Sequence, residues 1–281
     1  MTRWLFADQL GPAFTDDVPA DEPVLLVEAR SVFARRRFHR QKAHLVLSAL
    51  RHRARELGDR AVLVQARTYG EALDGLPRAV SDDLSVCAPT TWSADRFVRR
   101  LADEGRLRVL PPRGFATSRE DFRRWADGRG TRRLLMEDFY REARRRHSLL
   151  MDGEEPVGGT WNLDAENRQP PPKGARTLPV PEPWWPQEDD VDEQVRADLD
   201  RWEQDGDVSF VGVDGPRRFA ATRAEALAAL EHFAVHRLPT FGPYEDAMLA
   251  ADWAMSHSLL SAPMNLGLLH PLECAERAEA A

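Results

Sequence analysis

The sequence predicts an α/β protein: an N-terminal doubly wound parallel sheet, then a long linker, then the start of an all-α domain. Three observations lead there. Short, continuous apolar runs alternate with amphipathic helical segments as far as Pro111-Pro112. A stretch rich in proline, glycine and charge runs from Met151 to Pro186. Beyond Val208 the apolar residues recur at helical spacing. The expected organisation is a sheet domain over 1–130, connecting helices and linker over 131–206, and a helical segment over 207–281.

Trp4-Leu5-Phe6 and Val24-Leu25-Leu26-Val27 are continuous apolar runs. Continuity, rather than alternation, suits strands covered on both faces, as in a parallel sheet. A helix over about Lys42–Leu57 carries Leu45, Val46, Ala49 and Leu50 at helical spacing and stops at Gly58. Ala61–Val64 and Leu84–Ala88 read as further strands, with a helix over Gly70–Val80 between them, weakened at its end by Pro77. Ser93 is expected to cap a helix to about Glu104, with Trp92 and Phe97 as a hydrophobic staple. Leu107–Leu110 is the last strand. Ligands of such sheets sit beyond the carboxyl ends of the strands. That places Ala7, Asp8, Gln9 and the segment Glu28–Phe33 at the predicted site. The competing reading of Asp8 and Glu28 is turn and helix-cap chemistry. No G-x-G-x-x-G or G-x-x-x-x-G-K-[ST] follows any strand, so the phosphate cradle of a dinucleotide or P-loop site is missing.

Ser118 and Asp121 predict the start of a short helix, and Leu134 begins a longer one that ends in Arg144-Arg145-Arg146-His147. Those basic residues either complement the helix dipole or offer paired donors to a nucleic-acid backbone. Asp189–Gln204 reads as an acidic helix with Val191, Val195, Leu199 and Trp202 on one stripe. Thr222 to Glu225 is a capping box opening a helix whose core face is Leu227, Leu230, Phe233 and Ala234. His232 and His236 are four apart but lack an acidic neighbour and a third ligand, so no metal site is expected there. Ser258 and Ser261, three apart, enter the apolar run Leu259–Leu269. They either cap their own helix or present a pyrophosphate site at its start.

Lys and Arg number 39 and Asp and Glu 46, a net charge of 39 − 46 = −7, which argues against nucleic-acid binding by the whole surface. Cys87 and Cys274 stand far apart and form neither a disulfide framework nor a metal spacing. No signal-like segment or membrane-length apolar run occurs, and a cytoplasmic, membrane-free protein is expected. No G-x-S-x-G elbow or paired catalytic groups support a hydrolase.

One stretch carries more. L-L-M-D-G-E-E-P-V-G-G-T-W-N-L-D-A-E-N-R-Q-P, Leu149 to Pro170, resembles the linker of the deoxyribodipyrimidine photolyase-related family, the bacterial iron–sulfur cryptochrome/(6-4) photolyase-like flavoproteins. A-D-Q-L near the start, V-E-A-R after the second strand, and H-R-Q-K-A-H-L-V-L-S-A-L-R-H through the first long helix resemble the same family. The resemblance implies a photolyase antenna-domain-like sheet, a linker and the beginning of the helical FAD-binding domain. Asp8, Glu28, Val32, Arg35 and Val46 would lie by the antenna, 6,7-dimethyl-8-ribityllumazine or another chromophore. Relatives often carry an acidic residue and a tyrosine where Val32 and Arg35 stand. H-S-L-L-S-A-P-M-N-L-G is similar to the S-x-L-S-P-x-L-x-x-G pattern of photolyase flavin pockets. It implies FAD contacts at Ser258, Leu260, Ser261 and Asn265, with Tyr244 beside them.

The implied activity is light-dependent repair of damaged DNA, the antenna feeding reduced flavin, with a non-catalytic blue-light receptor or antenna-binding module as the alternative. The family's [4Fe-4S] ligands and catalytic residues would lie beyond this chain. A truncated chain, inactive alone or completed by a second chain, is therefore expected, with the apolar face from Leu259 to Leu269 left uncovered.

Overall fold

All five apolar runs form strands, and all five lie parallel. The computed structural model describes residues 1–281. The strands are β1 (Thr2–Leu5), β2 (Val24–Ala29), β3 (Ala61–Ala66), β4 (Leu84–Cys87) and β5 (Arg108–Leu110), in spatial order β3-β2-β1-β4-β5. The chain builds outward from β1 to β3, then returns to lay β4 on the other side of β1. The switch point of this doubly wound sheet is therefore between β1 and β4.

Helices follow the strands: α1 (Arg30–Ala34), α2 (Arg40–Leu57), α3 (Tyr69–Asp74), α4 (Arg78–Ser81) and α5 (Trp92–Asp103). Alternate side chains of each strand leave opposite faces. Trp4, Leu25, Val27, Ala66 and Val86 pack with Leu73, Val98 and Leu101 in one core. The other set includes Arg3, Glu28 and Ser85, buried polar residues that need partners, and Arg3 meets Asp17, Ser85 and the Phe14 carbonyl.

Helix starts and stops depart from the sequence reading in physically simple ways. Gly75-Leu76-Pro77 breaks the predicted Gly70–Val80 helix into α3 and α4, because a proline cannot continue the ladder. Thr91, not Ser93, caps α5 by accepting from Ala94 N. Trp92 is then a first-turn residue, 67% exposed, and no staple forms. Phe97 instead joins the rings of Trp4 and Tyr69. Gly58 closes α2 at φ 57°, as its position predicts.

Further along run α6 (Arg119–Gly128), α7 (Met136–His147), the hairpin β6 (Met151–Asp152) and β7 (Glu155–Pro156), α8 (Asp190–Gln204), α9 (Arg223–His236), α10 (Leu238–Phe241), α11 (Ser261–Asn265) and α12 (Pro271–Glu279). Ser118/Asp121 and Asp189/Asp192 form reciprocal capping boxes, and Thr222 pairs with Glu225 in the same way. The chain gathers into two compact units. One comprises 1–114, 185–227 and 260–270, the other 115–184, 228–259 and 271–281.

In the first unit, 260–270 is a wedge against the loop after β1. Leu10 N donates to Leu266 O at 3.0 Å. A Cβ on Gly11 would sit 2.0 Å from Gly267 O, and one on Gly267 would sit 2.5 Å from Asp8 O. Leu260, Leu266, Leu268 and Leu269 are buried, so this run is not an uncovered face. Leu227, expected in a core, is 41% exposed, and Ala226 takes the buried position.

The Gly11/Gly267 interlock gives a direct test. Gly267 combines φ 68° with backbone contact, whereas Gly58 has φ 57° and open space around it. Gly267→Ala is expected to cost about 2–4 kcal/mol in urea unfolding, and Gly58→Ala only about 1 kcal/mol. Equal losses would show that the close approach of the two backbones contributes nothing.

Candidate functional site

The carboxyl ends of β1 and β4 are stitched together by residues of the A-D-Q-L loop. Gln9, fully buried, donates to Cys87 O at 2.9 Å and accepts from Phe6 N at 3.3 Å. Asp8 accepts from Thr90 Oγ1 at 2.5 Å and from Thr90 N at 3.4 Å. Both bonds fall on Oδ2, and no protein donor reaches Oδ1. Four rings gather at the same place. Trp4 stacks on Phe6 at 4.4 Å, and Tyr69 meets them edge-on at 5.5 and 5.2 Å. Phe97 completes the group. Burial, and then the charge of Asp8, push the Tyr69 phenol well above its ordinary range. Trp4 and Phe6 are buried in the core, so the edge offers the half-buried rings of Tyr69 and Phe97, one uncommitted carboxylate oxygen and a neutral phenol. The open groove of about 480 Å³ lined by Leu73, Ser81, Leu84 and Arg106 lies at the other edge, where β4 begins.

Of the expected antenna residues, Asp8 stands at this edge. Glu28 is not in a turn. It is the fifth residue of β2 and buried, and its carboxylate accepts from Arg51 at 2.7 and 2.9 Å and from Gln65 at 2.9 Å. Val32 lies in α1, packed on the core, Arg35 is the exposed residue closing α1, and Val46 is half-buried on α2. The sequence reading misses Thr90, Tyr69 and Phe97. The switch-point rule names Thr90 once β4 is known to lie beside β1, but nothing local marks the two rings.

Of the expected FAD residues, Tyr244 packs with Leu178, Ala247 and Met255, and Ser258 is half-buried. Leu260 is buried, while Ser261 and Asn265 are exposed. The helix that Ser261 opens has five residues, too short to present a dipole-backed anion site.

Arg51 carries the Glu28 contact into an ionic interface between α2 and α8. Arg51 also reaches Asp198, Arg40 meets Asp200 and Glu203, and Arg55 meets Asp189 and Asp190. At its centre Asp192, fully buried, lies 3.1 Å from His44 Nε2 and 3.1 Å from Arg217 Nε, with Arg217 held in turn by Glu225 at 2.7 Å. Burial pushes the Asp192 carboxyl up, but His44 and Arg217 outweigh it and hold the group well below the usual carboxylate range. Donor atoms of His44, Glu188 and Asp192, and of His52, Asp189 and Asp192, cluster within 4.8 Å. Each carboxylate there is already matched by an arginine, Glu188 by Arg196 and Asp189 by Arg55. These are ion-pair nodes with no charge to spare for a cation. His232 spends Nε2 on the Glu182 carbonyl.

The arginine run divides. Arg144 is buried and gives its donors to the carbonyls of Leu149, Leu150 and Trp161, so it is a structural residue closing α7. Arg145 lies over the Trp161 ring at 4.5 Å. No helix is long and apolar enough to cross a membrane.

A sequence model of deoxyribodipyrimidine photo-lyase-related proteins matches residues 3–248. A curated protein named "(6-4) photolyase", from Agrobacterium fabrum (strain C58 / ATCC 33970), is 35% identical over 296 residues. The match covers 99% of this chain and 56% of that relative.

Asp192 yields a pH signature. Its folded pKa lies below the unfolded value of about 4, so its contribution is present above pH ~4 and is lost as pH falls below it. Asp192→Asn is expected to cost about 3 kcal/mol at pH 7 by removing a carboxylate from the buried Arg217 guanidinium. In urea titrations the gap from wild type should narrow below pH 4. A pH-independent gap would remove Asp192 from the centre of the interface.

Proposed function

The chain belongs to the deoxyribodipyrimidine photo-lyase-related family, and from that premise we propose that it is the antenna-binding and connecting part of a light-dependent DNA photolyase of (6-4) type. The observation that carries the proposal is the carboxyl edge of the sheet. A parallel doubly wound sheet with no glycine-rich phosphate cradle offers the half-buried rings of Tyr69 and Phe97 and the Asp8 carboxylate instead. Such an edge suits a flat, largely uncharged chromophore with N–H or hydroxyl donors. The antenna is 6,7-dimethyl-8-ribityllumazine or a chromophore of the same shape.

In this reading Asp8, held in place by Thr90, accepts from the chromophore through Oδ1. Glu28 acts at one remove, fixing Arg51 on the helix that carries Val46. Val32 and Arg35 give α1 an apolar and a cationic position beside it. Tyr244, Ser258, Leu260, Ser261 and Asn265 are the residues that would hold FAD, the hydroxyls and amide facing its polar chain and Leu260 and Tyr244 its rings. When bound, reduced FAD supplies light-driven electron donation to the lesion. The partner is damaged DNA, with the target nucleotide turned out of the duplex. The two cysteines do not make a four-thiolate set, and Cys87 is buried in β4 with its thiol pushed up by that burial, so this chain does not itself hold an iron–sulfur cluster.

The test is spectroscopic. Purified chain, incubated with the lumazine and with FAD and freed of excess, is expected to retain near-ultraviolet or blue absorption. Chromatography after denaturation identifies what was held. Asp8→Asn should lower lumazine retention by about tenfold, the loss of one charge-assisted hydrogen bond. A chain that stays colourless with both compounds would end the proposal.

A further inference from the structure

The two edges of the parallel sheet are finished differently. Every residue of β1, β2 and β4 is buried, whereas in β3 only Ala66 is buried and Leu63 is 37% exposed. An unpaired sheet edge presents rows of N–H and C=O groups that will take another strand, so proteins blunt such edges with charge, proline, bulges or brevity. β5 is blunted in this way. It has three residues and opens with Arg108, whose guanidinium reaches the Met1 sulfur at 3.1 Å. β3 carries none of these devices. It is Ala-Val-Leu-Val-Gln-Ala, six residues without proline or charge, all paired in unbroken register with β2. Beyond that ladder the backbone from Val62 to Ala66 bonds to no other part of the chain. Such an edge is open to strand addition.

The edge is complementary to itself. Neighbouring residues of a strand aim their N–H and C=O groups at opposite edges, so an outward residue pairs only with an outward residue. When a strand pairs antiparallel with its own copy about a two-fold axis, the axis therefore passes through a residue, not between two. An axis at Leu63 or at Val64 pairs five residues of the strand. The flanking charges separate the two. With the axis at Leu63, Asp59 of each copy comes alongside Arg67 of the other. With the axis at Val64, Arg67 meets Ala61 and Asp59 meets Tyr69. Asp59 is exposed in the turn Gly58–Arg60 and forms no ion pair within its own chain. Arg67, its side chain 77% exposed, has only Glu71 at 3.7 Å. Opposite charges facing each other across strands stabilise the pairing. The Leu63 axis also sets the most exposed apolar side chain of the five strands against its own copy.

We infer that β3 is a docking edge for a second copy of this chain, the two strands pairing antiparallel with Leu63 on the axis and Asp59 and Arg67 closing both ends. The two sheets then run on as one. An interface of this kind uses the same patch on both copies and closes on itself, so association stops at two. A short strand pair buries little surface, and the dimer forms reversibly with concentration. β1 and β4, whose carboxyl ends carry Asp8 and Thr90, lie away from this edge, so the dimer does not depend on any bound chromophore.

The full chain is followed by sedimentation velocity over a wide range of concentration. A reversible equilibrium between monomer and dimer is expected, with no larger species. Leu63→Lys, which puts a charge on the edge, is expected to leave only monomer. Arg67→Glu and Asp59→Arg are each expected to weaken the dimer by about fivefold. The double variant is expected to restore it, because both pairs re-form with their signs exchanged. Hydrogen exchange of the wild-type chain is expected to slow within Val62–Ala66 as concentration rises, while β5 is unchanged, a readout that needs no variant to fold. A monomer at every concentration, a dimer of equal strength in Leu63→Lys, a double variant no tighter than the single ones, or β3 amides indifferent to concentration overturns the inference.

Discussion

The first unit depends on one buried ionic contact, Asp192 between His44 and Arg217. A carboxylate removed from water is tolerated only when its charge and lone pairs are met on all sides. Asp192 is met from α2 by His44 and from the segment after α8 by Arg217, which Glu225 neutralises in turn. That requirement fixes the register of α8 on α2. The apolar stripe of Val191, Val195, Leu199 and Trp202 would tolerate a slide of one turn, but the charges would not. The outer pairs of Arg40, Arg51 and Arg55 with acids of α8 repeat the same register, and only the exposed Arg55–Asp190 pair lies where water screens it and it contributes little.

The same interface reaches the sheet. Arg51 bridges Asp198 of α8 and Glu28 inside β2, so a helix far along the chain helps neutralise a charge within the parallel sheet. A second distant segment does a comparable job with backbone alone. The close approach of Gly267 to Asp8 and of Gly11 to Gly267 seats 260–270 against the loop that carries Asp8 and Gln9. The geometry of the carboxyl edge is thus set by residues almost at the other end of the chain.

That dependence explains what could and could not be read from the sequence. Continuous apolar runs gave five parallel strands because each run needs only its own composition to be recognised. The α8 stripe and the Ser118 and Asp189 starts were legible for the same reason: their partners lie within a few residues. Glu28 looked like the end of a strand because its partners, Arg51 and Gln65, lie on other elements. The Trp92–Phe97 staple failed because Thr91 took the cap and tertiary contacts drew Phe97 to Trp4. The run from Leu259 to Leu269 looked uncovered because its cover is the loop after β1, some 250 residues earlier. Among site residues, Asp8 was visible from its place after a strand, while Tyr69 and Phe97 were not.

Charge also limits what the sheet can hold. At the sheet's carboxyl edge burial raises the Tyr69 phenol above its ordinary range, and the Asp8 charge raises it further. A phosphate placed there would meet a carboxylate in partly buried surroundings, where repulsion is weakly screened. A neutral ring system with donors would instead gain both the stacking and the hydrogen bond. The sheet's carboxyl edge, where phosphate sites usually lie, carries a carboxylate instead, and Arg237, whose buried Nη2 has no acceptor, lies in the other unit.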